Sequence, residues 1–131
     1  MKNTLLTAIA ILISGYLCSL GLPWWGITPV AVLIGWFFAA NGLKSFFGGF
    51  LGGFLLWYST AWFADDANAG MLSTKVGQLF MGLNGQQLIL VTGVLGGMLA
   101  AFAALTGKMA KDMLIKPNTG RKRNYLQERR R

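Results

Sequence analysis

The stretch 46–63, FFGGFLGGFLLWYSTAWF, contains no charged residue and has nearly the ~20 apolar residues that a helix needs to cross a bilayer. At about 100° per residue, Gly48, Gly49, Gly52, Gly53, Ser59 and Thr60 fall on one side of such a helix. Phe47, Phe50, Leu51, Phe54, Leu55, Trp57, Tyr58 and Trp62 fall on the other. Lipid tails are as apolar as leucine, so helices in a bilayer associate by close packing, and bare backbone permits it. The two interleaved GxxxG pairs, Gly48 with Gly52 and Gly49 with Gly53, therefore read as a helix-packing interface. Ser59 and Thr60 extend it.

A second span, about 87–106, repeats the pattern, with Gly93, Gly97, Ala100, Ala101 and Ala104 on one face and Gly96 and Ala103 at its margin. Two smooth faces predict one close helix pair. The first span is expected over about 4–22. Its apolar run also resembles a signal peptide, but Gly15-Tyr16-Leu17 is a poor cleavage context before Cys18, so it reads as a retained helix. Pro23-Trp24-Trp25-Gly26 is a turn with indoles suited to the headgroup level, followed by a helix over about 27–40 with Pro29 in its first turn. Asn41 to Ser45 form a tight connection, with Ser45 a candidate cap.

Between the two glycine-bearing spans, Met71, Leu72, Val76, Leu79, Phe80 and Leu83 recur at helical spacing opposite Ser73, Lys75 and Gln78. This is expected to be an interfacial helix within 64–86, capped by Asp66 or Asn68 and closed by Asn84-Gly85. Asp65 and Asp66 read as capping or solvated acids.

The expected fold is all-α. It is an integral membrane protein of four transmembrane helices with short connections, one interfacial amphipathic helix and a basic C-terminal tail. The helices occupy a membrane domain over 1–116 and the cytoplasmic tail 117–131. A composition of 54% hydrophobic and 12% charged residues, with mean hydropathy +0.52, is too apolar for an ordinary soluble domain.

The net charge of +8 would suggest nucleic acid if it were spread over the chain, yet nine of the twelve Lys and Arg lie from Lys108 onward. Basic residues beside a span are retention charges. Lys108, Lys111, Lys116, Arg121, Lys122, Arg123, Arg129, Arg130 and Arg131 are therefore assigned to the membrane surface or a partner, with anionic lipid headgroups meeting the tail. Lys2 and Lys44 agree with this side, and only Lys75 opposes it. The expected location is a bacterial inner membrane, crossed several times, with both termini cytoplasmic.

No Asp, Glu, Lys, Arg or His lies within the four expected spans, although such groups mark proton relays and ion-coupling sites. Ser14, Ser19, Ser59 and Cys18 have no evident activating base, and the chain has one cysteine and no histidine. The reading is non-enzymatic, with no cofactor and no metal. The leading expectation is an accessory or scaffold subunit, its glycine faces packed against a larger membrane protein or in a homo-oligomer. The alternative is an oligomeric channel or facilitator for a small neutral or weakly charged solute.

Overall fold

The computed structural model describes residues 2–21, 23–38, 41–80 and 82–115. These form α1 (Lys2–Ser19), α2 (Ile27–Phe38), α3 (Gly42–Ala67), α4 (Met71–Leu79) and α5 (Gly85–Ile115), with a 3-10 turn at Trp24–Gly26. No strand occurs among the described residues. Two helices, α1 and α5, are long and apolar enough to cross a membrane.

The other two of the four expected spans, α2 and α3, fall short of that measure. With 12 residues, α2 is only about 18 Å long at ~1.5 Å per residue, short of the ~30 Å hydrocarbon core. With 26 residues, α3 is long enough, but its glycines and the Trp57-Tyr58-Ser59-Thr60 run dilute its apolar character. Met1, Leu22, Ala39, Ala40, Met81 and 116–131 lie outside the described residues, so the tail assignments are not placed.

Contacts fix the helix directions. Gly48 meets Thr4 and Thr7, and Gly52 meets Ala8 and Ile11, so α1 and α3 are parallel. Gly49 meets Ala101 and Gly53 meets Gly97, so α5 runs against α3. Ile27 lies beside Gly15 at one end, while Gly35 lies beside Ala104 at the other. Hence α2 descends with α5. Around the bundle the order is α1, α3, α5, α2, with α2 closing onto α1. Lys2, Lys44, Lys108 and Lys111 gather at one end, and Asp65, Asp66 and Lys75 lie at the other.

The bundle places small residues inside and large ones outside. Its buried apolar side chains include Ala8, Ala31, Ala100, Ala101, Ala103 and Ala104, joined by Ile11, Ile27, Ile34 and Leu56. Leu5, Leu17, Leu33, Phe37, Phe47, Leu51, Leu95 and Phe102 are exposed. The hydroxyls of Thr7, Ser19, Thr92 and Thr106 donate to carbonyls one turn back on their own helices, which satisfies them without a neighbour.

Three cap expectations change. Ser45 lies inside α3, and Asn41 precedes the helix. Asp65, Asp66 and Asn68 end α3 instead of starting α4: Gly70 N donates to Asp65 O and Ala69 N to Asp66 O, a Schellman closure with Ala69 at φ +50°. Asn84 starts α5, its N–H donating to Gln87 Oε1 at 3.0 Å in half of a capping box. The amphipathic helix is thus only 71–79. It turns Ser73 and Gly77 inward and leaves Met71, Leu72 and Leu79 exposed.

Candidate functional site

The glycine face of α3 divides into two seams. Gly48 and Gly52 face α1. A Cβ on Gly48 would lie 2.9 Å from Thr4 O, and one on Gly52 would lie 2.6 Å from Ala8 O. Gly49 and Gly53 face α5, with Cβ positions 2.6 Å from Ala100 O and 2.8 Å from Gly96 O. The two strips are about 100° apart on the helix, so one run of four glycines serves two neighbours. At each position a side chain would meet backbone, which cannot turn aside.

From the α5 side, Gly93 lies under Phe54 and Tyr58, and Gly97 lies against Phe50. Ala101 and Ala104 are fully buried. Gly96 faces the indole of Trp57. The aromatic residues Phe50, Phe54 and Tyr58 stack along α3, with ring centroids 6.0 and 5.7 Å apart. Together with Trp57 they roof the smooth face of α5. Outward exposure falls to Phe47, Leu51, Leu55 and Trp62. Phe46 adds an edge-on contact across to Phe102 at 5.6 Å.

A second close seam joins α2 to α5, with Gly35 against Ala104 O and Gly107 against Val32 O. Neither glycine is among the packing residues expected from the sequence, although each follows a buried alanine by four residues, Ala31 before Gly35 and Ala103 before Gly107. Ala104 is the node: its carbonyl also accepts a 2.7 Å hydrogen bond from Ser45 Oγ, buried between α3 and α5.

Ser59 and Thr60 do not join either seam. Both hydroxyls donate to Leu56 O, and Thr60 borders an apolar cleft of about 210 Å³ shared with Gly15, Cys18, Ile27 and Trp57. Comparison with protein-family models, curated proteins and solved structures returns no match for this chain.

Lys108 departs from its surface assignment. Its side chain is 7% exposed and its ammonium lies 2.5 Å from Asp112 Oδ1, one turn on along α5. The reason is that α5 continues past Thr106 along α2, so Gly107 and Lys108 remain within the bundle. Lys111 is partly buried. Lys116, Arg121, Lys122, Arg123, Arg129, Arg130 and Arg131 fall outside the described residues. Among the described residues no three His, Cys, Asp or Glu side chains gather around a common point. The hydroxyls near Cys18 and Ser14 are committed to carbonyls. The helices of this site pack by shape, through backbone approach and apolar surface.

Proposed function

We propose that this chain is a small, non-enzymatic, multi-pass membrane protein, an accessory or scaffold subunit of a larger membrane complex. The observation that carries the reading is the placement of glycine and alanine inside the bundle with leucine and phenylalanine outside. A contiguous apolar exterior of this extent suits lipid or a large apolar partner. In this reading α3 crosses with α1 and α5, and α2 crosses with help from the turn before it. The cationic end faces the cytoplasm, and α4 lies at the opposite interface with Met71, Leu72 and Leu79 in the headgroup region.

The glycine seams are taken up within the chain, so a larger partner meets the outward side chains of the bundle. A transport path needs polar lining, and the hydroxyls of Ser59, Thr60, Thr92 and Thr106 are held by their own helices while that of Ser45 is held by Ala104 O. Gentle extraction from the native host should recover a larger membrane protein in fixed stoichiometry, while proteoliposomes of the purified chain should show no more ion or solute flux than empty ones. Robust flux with no stoichiometric partner would replace this reading with a channel.

A further inference from the structure

At the end of the bundle opposite Lys44, the last turns of α3, the inner side of α4 and the first turns of α5 enclose a cleft of about 260 Å³. It is several times the ~30 Å³ that a water occupies. Leu72, Val76, Leu88 and Ile89 make its wall apolar, and Asp65 supplies its one ionisable group. Asp65 Oδ1 is enclosed, and no donor among the described residues reaches it.

The nearest hydroxyls are committed elsewhere. Ser73 donates to Gly70 O at 3.1 Å and Thr92 donates to Leu88 O at 2.9 Å. Lys75 is on α4 but, at about 100° per residue, stands on the far side of that helix from Ser73. Asp65 also sits in the last turns of α3, where the helix dipole repels an anion and favours a cation. An enclosed carboxylate oxygen without a donor is costly, and a cationic N–H would complete it with a charge-assisted hydrogen bond.

We propose that this cleft binds an amphiphilic ammonium: a protonated amine whose N–H donates to Asp65 and whose hydrocarbon body lies between Val76 and Leu88. The chemistry selects this class. A bare divalent cation takes six or more oxygen ligands, whereas here one carboxylate faces a hydrocarbon wall. The inference is independent of any partner protein, because the site is formed by three helices of one chain.

The test uses the full chain in a neutral detergent, with octylammonium titrated and thermal unfolding followed. Octylammonium should raise the melting temperature saturably by several degrees, and octanol should not. Asp65→Asn should abolish the shift while melting at or above the parent, and Asp66→Asn should retain it. If Asp65→Asn fails to fold, Val76→Trp, which fills the cleft and leaves the carboxylate, must weaken the shift. An equal response to octanol, an undiminished shift in Asp65→Asn, or full retention in Val76→Trp overturns the proposal.

Nanodiscs distinguish the source of the amine. Stabilisation by phosphatidylethanolamine over phosphatidylcholine, whose headgroup nitrogen carries no N–H, and only with Asp65 present, assigns the site to a lipid headgroup. Equal stability in the two, with the octylammonium shift intact, assigns it to a free amphiphilic amine.

Discussion

The seam between α3 and α5 and the seam between α2 and α5 achieve the same close approach by different means. The first is long, running from Gly49 and Gly53 against Ala100 and Gly96 to an aromatic roof over Gly93 and Gly97. The second is a single crossing in which Gly35 and Gly107 each meet a carbonyl oxygen. What brings two helices together is one absent side chain on each at the crossing point. One small-xxx-small step on each helix, Ala31 to Gly35 and Ala103 to Gly107, makes the short contact, and repetition of the motif makes the long one.

The crossing concentrates its dependence on two residues, so it should break first. Gly107→Leu or Gly35→Leu forces a side chain into the α2 or α5 backbone and should cost more than the ~1–3 kcal/mol typical of overpacking, seen as loss of a monodisperse folded species in detergent. Gly52→Leu and Gly53→Leu should each cost about 1–3 kcal/mol. They should be separable by site, since the first loosens α1 and the second α5, and thiol accessibility of cysteines placed at Ala8 and Ala100 would show it. If Gly53→Leu exposed Ala8 instead, the division of the face into two seams would be wrong.

Ser45→Ala removes the buried bond to Ala104 O. It should lower stability by about 1 kcal/mol in a thermal melt, and an unchanged melt would show that the hydroxyl is dispensable at that junction. The smallest effect is expected at Phe47, 56% exposed: Phe47→Leu should stay within about 0.5 kcal/mol, whereas Phe50→Leu, which uncovers Gly97, should cost more.

Much of the long seam was legible, because glycine and alanine repeating at helical spacing leave few other uses for a face. The angular count put Phe50, Phe54, Trp57 and Tyr58 outward as a block, but a glycine on the facing helix is a hollow, and large rings at the edge of the face fold over to fill it. The α2–α5 crossing carries a single small-xxx-small step from each helix, Ala31 to Gly35 and Ala103 to Gly107, too short a run to mark a face among so many alanines. The charge of Lys108 favours the headgroups, yet the helix carries it along α2 and Asp112 pairs with it.

The caps around α4 failed for a related reason. Asp66, Asn68 and Asn84 are good start signals, but α3 ran on through the first two, and the third opened α5. Local cap preference cannot say which of two adjoining helices it serves. Asp65 had a similar ambiguity: solvation was the simple expectation for an acid in a loop, and the extension of α3 turned one of its oxygens inward.

The glycine seams close within a single chain. Cysteines at Phe46 and Phe102, whose rings lie 5.6 Å apart across α3 and α5, test it without disturbing a glycine. In a Cys18→Ser background, a short bifunctional thiol reagent applied in native membranes should join them within one chain, giving a monomer band with both thiols consumed. A cross-linked dimer as the main product, with little intrachain joining, would contradict the account and place the seam between two molecules.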